Sequence, residues 1–186
     1  MGSGKMFKRL VSVAVLVLGL AACTAETTNQ LAVDGKPIPK FYNLAAQNEA
    51  TVQYRMLDSV NALRNSVGAP TLTLNSQLNA AAATHSRDMS IQNRPWHFGS
   101  DGSSPLDRVE RVGYPGILIG ETISETYENE LDTLAAWMSE KDTRFVILDT
   151  QALEMGFSWF QEPNGKIWWT LVTGGQSLSS VAVTDE

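Results

Sequence analysis

From Glu49 onward the apolar residues fall at helical spacing. Val52, Met56, Val60, Leu63 and Val67 recur every three or four positions, which lays them along one face of an amphipathic helix. Gly68, Ala69 and Pro70 stop it, the glycine as a C-terminal cap and the proline as a residue that cannot continue the turn. Thr71 to Leu74 is a short extended link. Asn75 or Ser76 then caps a second helix in which Leu78, Ala81, Ala82, His85 and Met89 share a face, and the run Ala80 to Ala83 permits close packing. That pattern ends at Asn93. Ser104-Pro105 opens a third helix, Leu106 to Val112, closed by Gly113-Tyr114-Pro115-Gly116. Ile117 to Ile123 reads as a loop, after which Leu131, Leu134, Ala135 and Met138 mark a fourth helix starting near Asn129.

The last third changes character. Leu153 to Phe160 and Ile167 to Val172 are aromatic and β-branched runs separated by Pro163-Asn164-Gly165, a hairpin signal. Helices first and an antiparallel hairpin last predict an α+β domain in layers. No internal repeat or low-complexity tract interrupts it.

The N-terminal segment has another purpose. Lys5, Lys8 and Arg9 precede an uncharged apolar run, Leu10 to Ala22, that leads to Leu20-Ala21-Ala22-Cys23. At 13 residues this run is too short to span a bilayer as a helix, which takes roughly 20, and it reads as a signal peptide over residues 1–22. Met6 is an alternative start. Small residues before a lone cysteine are similar to a bacterial lipobox, so the signal is expected to be cut before Cys23 and that thiol to carry a diacylglycerol. Residues 23–47 then form a polar lipidated tether, 48–176 the domain and 177–186 a tail. Cys23 is the only cysteine, so no disulfide can form within the chain and packing must supply the stability. Loss of the signal removes three bases and no acid, taking the net charge from −6 to −9. Such acidity argues against nucleic acid and against a basic membrane-docking patch, leaving the lipid as the expected membrane contact.

Between the second and third helices, Arg94 to Arg108 places one of the chain's two histidines, His97, between Trp96 and Phe98 on a loop. Loops on rigid scaffolds carry a large share of functional residues, so His97 is a candidate site residue; the alternative is a histidine held by aromatic packing. His85, on the apolar stripe of the second helix, is expected to be structural. Glu121 lies among apolar neighbours and must be either exposed on a bend or buried with a partner, because an unpaired buried carboxylate is costly. Glu140 follows Trp137 at the end of the fourth helix. There is no phosphate-binding glycine loop, paired Cys-x-x-Cys, His-Glu-x-x-His or Gly-x-Ser-x-Gly elbow.

The ordered series of His97 loop, Ser104-Pro105-Leu106-Asp107-Arg108-Val109, Gly113-Tyr114, Gly120-Glu121-Thr122-Ile123, Trp137-Met138-Ser139-Glu140, Arg144 and Ile147-Leu148 resembles the CAP superfamily, also called the SCP domain. Its members are the cysteine-rich secretory proteins, antigen 5 and the pathogenesis-related 1 proteins. The resemblance spans about Ala50 to Gly174. It implies a three-layer α/β/α sandwich, with helices flanking a small, mainly antiparallel sheet, and a cleft of two histidines and two glutamates proposed in various members to bind a divalent metal. His97 stands where that family has its first histidine, Glu121 its first glutamate and Glu140 its second. Thr143 replaces the second histidine, and Thr122 stands where asparagine is usual. One imidazole with two carboxylates is a poor zinc set, so no cofactor is expected; a metal, if bound, would use His97, Glu121 and Glu140. The function expected from the resemblance is a lipid-anchored, extracytoplasmic binding module of the cell envelope, on the outer membrane facing periplasm or exterior, with a lipid, small-molecule or protein ligand. The rival is a hydrolase using His97 as general base with Glu121 or Glu140.

Overall fold

The computed structural model describes residues 42–126 and 128–177. The residues read as a signal peptide, Cys23, most of those read as tether and nearly all of those read as tail lie outside these.

Among the described residues, five α-helices and four strands follow the expected order, with two additions. Helix α1 is Glu49–Ser66, capped by the Asn48 side chain; β1 is Thr73–Leu74; α2 is Ser76–Gln92, capped by Asn75; α3 is Pro105–Arg111. Strand β2 is Ile117–Thr126, α4 is Glu130–Ser139 behind the Asn129 cap, α5 is Lys141–Leu148, β3 is Glu154–Gln161 and β4 is Ile167–Gly175. The sheet order is β1-β3-β4-β2, with β1 parallel to β3 and the other pairings antiparallel. The hairpin β3–β4 closes at 162–166, where Gly165 adopts φ +91°.

Helices α2 and α3 cover one face of this sheet and α1, α4 and α5 the other, giving the α/β/α sandwich. All nine residues of β4 are buried, as a central strand covered on both faces requires. One core gathers Val52, Met56 and Val60 with Phe157, Trp169 and Leu171; Phe157 and Trp169 stack with centroids 5.5 Å apart. The other joins Leu78, Ala81, Ala82 and Val109 to Tyr114 and Val172. The backbone of α2 lies so close to β3 that a Cβ on Gly156 would come within 2.1 Å of the Leu78 carbonyl carbon, so this contact requires glycine.

Two expectations need correction. Ile117–Ile123 is not a loop: it is the first part of edge strand β2, paired along its length to β4. Val67 is not on the buried stripe of α1. It lies past the helix end and is 59 % exposed, while the four-residue spacing of Val52, Met56 and Val60 is continued by Arg64, which is fully buried. Helix α5 was not among the expected elements; the resemblance had pointed only to Thr143, Arg144 and Ile147-Leu148 within it. Within the stretch read as tether, residues 42–47 pack on the domain: Leu44 is buried, and the Tyr42 hydroxyl donates to Glu130 at 2.9 Å and accepts from Arg55 at 2.9 Å.

Candidate functional site

A bulge in β2 creates the site. The pairing with β4 shifts between Leu118 and Gly120, so Ile119 and Gly120 both face the α1/α4/α5 layer and the next residue, Glu121, is delivered to the α2/α3 side. Gly120 has no room for a side chain there, since a Cβ would come within 2.8 Å of Val146 on α5. Without the extra residue, the alternation of the strand would send Glu121 to the opposite face.

Glu121 is buried and paired, the second of the two options its sequence context allowed. Arg108 of α3 donates through Nη2 to Oε1 at 3.0 Å and Oε2 at 2.8 Å, and through Nη1 to the Ser103 carbonyl at 3.1 Å. The first turn of α3 fixes the arginine: Ser104 and Asp107 form a reciprocal capping box, with Pro105 at the helix start. Among the described residues the Arg108 Nε–H has no partner.

Both histidines meet the same carboxylate. His97 Nδ1 is 2.9 Å from Glu121 Oε1, and His85 Nε2 is 3.7 Å from that oxygen. A carboxylate can only accept, so His97 donates from Nδ1 and turns Nε2 away from the pair; its side chain is 50 % exposed. The loop is braced onto α2. Asp88 accepts from Ser100 N and Oγ at 2.7 and 2.6 Å, Trp96 Nε1 donates to Gln92 at 2.7 Å, and Arg94 lies 3.9 Å over the Trp96 ring. Burial would raise the Asp88 carboxyl, but the bonds from Ser100 and Gln92 hold it below its ordinary range.

His85 is fully buried, and Nε2 donates to the Trp96 carbonyl at 3.0 Å, tying helix to loop immediately before His97. Its Nδ1 has no partner among the described residues, so a second proton would be stranded there. Burial accordingly pushes the imidazole below its ordinary range, against the pull of the Glu121 carboxylate, while Arg108 adds to the lowering. A pKa lower in the folded than in the unfolded chain gives stability that is complete above the unfolded value of about 6.5 and is lost as pH falls from there toward the folded value. Melting temperature should therefore drop between pH 7.5 and 5 more steeply in the wild type than in His85→Gln; parallel profiles would refute this role.

Glu140 and Thr143 are not joined to this cluster. Glu140 is exposed at the junction of α4 and α5, and its side chain makes no capping hydrogen bond to α5. The Thr143 hydroxyl donates to the Trp137 carbonyl at 2.5 Å, bracing the same junction. These two residues belong to the layer on the other face of the sheet from Glu121. The functional residues that residue-by-residue reading missed are Arg108 and His85. The signal for Arg108 was the need of a buried Glu121 for a cation. For His85 it was a polar ring on an apolar stripe, which had to find a partner.

The donors present do not suit the divalent metal that the resemblance implies. Both oxygens of Glu121 are taken by a guanidinium, the His85 Nε2 proton is committed to a carbonyl, and His97 Nε2 is left as the free ligand atom. Among the described residues, no three His, Cys, Asp or Glu side chains are grouped so as to hold an ion.

The model of the cysteine-rich secretory protein family, CAP, matches residues 57–173. The uncharacterized protein YkwD of Bacillus subtilis (strain 168) is 24 % identical over 148 residues, which are 80 % of this chain and 52 % of that protein, so the chain spans about half the length of this curated relative. A solved outer surface protein of Borrelia burgdorferi superposes with a TM-score of 0.65 at 13 % identity, covering 70 % of this chain and 97 % of that one. An extracellular protein containing a SCP domain from Bacillus anthracis gives 0.61 at 20 % identity, covering 70 % and 44 % respectively. At these identities the structures speak for the fold, and the family match covers more than half of the chain together with every element from α2 to β3. This chain belongs to the CAP family of cysteine-rich secretory proteins.

Proposed function

We propose that this is an exported CAP-domain protein, held to the bacterial membrane by a lipid on Cys23, whose cleft at His97 binds a lipid, small-molecule or protein ligand of the cell envelope. One observation carries the reading: a buried carboxylate clamped by Arg108 holds His97 by Nδ1, so a half-exposed ring presents Nε2 outward from a braced loop. Fixed orientation of one polar group beside an exposed apolar one, here Phe98 as the next residue in the chain, is how a binding cleft obtains specificity. The acidic chain makes nucleic acid an unsuitable partner. Export is supported by the lipobox-like Leu20-Ala21-Ala22-Cys23 and by relatives described as extracellular or outer surface proteins. Among the described residues no helix is long and apolar enough to cross a membrane.

The same Glu121–His97 bond is also the orientation a general base needs. Hydrolysis would further require a nucleophile, and among the described residues no serine, threonine or cysteine side chain is hydrogen-bonded to His97. The two readings part on one experiment. Protein purified from its native envelope should release a bound molecule on organic extraction, and His97→Ala should lose that molecule with little change in melting temperature. Loss of a measurable ester or peptide turnover in His97→Ala, with nothing extractable from either protein, would replace binding by hydrolysis. Cys23→Ser should leave the membrane fraction; unchanged fractionation would remove the anchor from the proposal.

A further inference from the structure

We infer that Arg108 is the resident cation of this cleft: its guanidinium stands against both oxygens of Glu121 where a divalent ion would have to sit, and so keeps closed a metal site that the two histidines would otherwise complete with Glu121. The inference rests on the geometry of the cluster and is independent of which ligand the cleft takes.

Three features make the guanidinium a fixture. Nη2 alone lies between the two carboxylate oxygens, at 3.0 and 2.8 Å, so that one charge-assisted contact occupies both of them. Arg108 is 4 % exposed and is tied by Nη1 to the Ser103 carbonyl, so it cannot swing into solvent without breaking buried bonds. Its backbone is set by the Ser104–Asp107 capping box, and its partner is aimed by the bulge at Ile119. The sequence thus devotes a helix start and a strand irregularity to bringing these two charges together.

Taking the guanidinium away leaves one carboxylate facing two imidazoles. His97 Nδ1 at 2.9 Å and His85 Nε2 at 3.7 Å converge on Glu121 Oε1, and two nitrogens with one carboxylate are a donor set that first-row divalent ions accept. As they stand these three side chains are not grouped to hold an ion, so the donors must shift: the half-exposed His97 is free to move, and the hydrogen bond that the buried His85 ring gives up on turning is the one to Trp96. A cation delivered to the wild type, in contrast, meets a fixed positive charge at hydrogen-bonding distance from the carboxylate that both imidazoles face.

The test is Co²⁺ titration of the full mature protein in detergent, read by equilibrium dialysis and visible absorption. Wild type should take up no stoichiometric Co²⁺. Arg108→Met should bind one ion per chain, about tenfold or more tighter than wild type, with d–d bands of a nitrogen and oxygen site, and should melt higher with the ion than without it. The gain should vanish in Arg108→Met/His97→Ala. Arg108→Lys, which keeps the positive charge, should stay closed to metal. One Co²⁺ per chain bound by the wild type through His97 would overturn the inference, as would a folded Arg108→Met that binds no better than wild type. If Arg108→Met folds only when Co²⁺ is present, the inference is supported; if it folds in neither condition, Arg108→Gln, whose amide can still bond Glu121, is titrated under the same two criteria.

Discussion

Arg64→Met is expected to lower the unfolding free energy by about 3–5 kcal/mol, enough to bring the melting temperature down by roughly 10 °C. Arg64 is 0 % exposed and sits where the apolar stripe of α1 would otherwise place a hydrocarbon. Its guanidinium donates to the carbonyls of Pro70 at 2.6 Å, Ile147 at 2.7 Å and Ala152 at 2.9 Å. Those carbonyls belong to the turn after α1 and to the two ends of the α5–β3 connection, so one side chain ties two connections of the chain together. Burial holds the guanidinium below its usual range, with Asp149 pulling the other way. Methionine would fill much of the volume and remove the cost of burying a charge, but each carbonyl left without a donor costs about 1–3 kcal/mol, and three outweigh the gain. Arg64→Lys separates charge from geometry, because an ammonium cannot span three carbonyls; it should recover less than half of the loss. Chemical denaturation checks both, and a lysine variant as stable as wild type would show that charge alone is used.

Glu121→Ala should be comparably severe, about 3–5 kcal/mol, for a different reason. It removes the counter-ion of Arg108 and leaves a buried cation holding only the Ser103 carbonyl. The substitution also frees His97 from its anchor, so the expected signature is a fall in stability together with loss of order in the 94–104 loop, visible as faster amide exchange there. The double variant Glu121→Ala/Arg108→Met should be more stable than Glu121→Ala alone, since removing both members of a buried pair costs less than orphaning one. If the double variant is the weaker, the pair is not the source of the loss.

How far the chain could be read in advance followed the range of the interactions involved. Helices α1 to α4 and the hairpin β3–β4 were legible because their signals are local: spacing of apolar residues, Asn caps, the proline at the start of α3 and the Pro163-Asn164-Gly165 turn. Strand β2 was not, because Gly120-Glu121 interrupts an apolar run in the manner of a loop and the strand exists through its pairing with a distant β4. Helix α5 gave little local signal, since Ile147 is its only buried residue and Phe145 is exposed. In the site, the position of His97 on a loop and the need of Glu121 for a partner were both readable. That the partner is Arg108, and that His85 arrives at the same oxygen, depends on the β-bulge and on the fold of the 94–104 loop over α2, neither of which has a local signature. Glu140 stood out by its place at the end of the fourth helix, and Thr143 followed from the resemblance alone; here both lie at the α4–α5 junction.

The most direct test of the cleft as described is the protonation pattern of the two histidine rings, read by long-range ¹H–¹⁵N correlation on the neutral imidazoles at alkaline pH. The account predicts that His97 carries its proton on Nδ1, the less common tautomer, because it donates to Glu121, and that His85 carries its proton on Nε2, because it donates to the Trp96 carbonyl. In Glu121→Ala the His97 ring should revert toward the Nε2 form. A His97 ring protonated on Nε2 in the wild type would mean that Glu121 does not hold it, and the binding cleft proposed around that bond would be wrong.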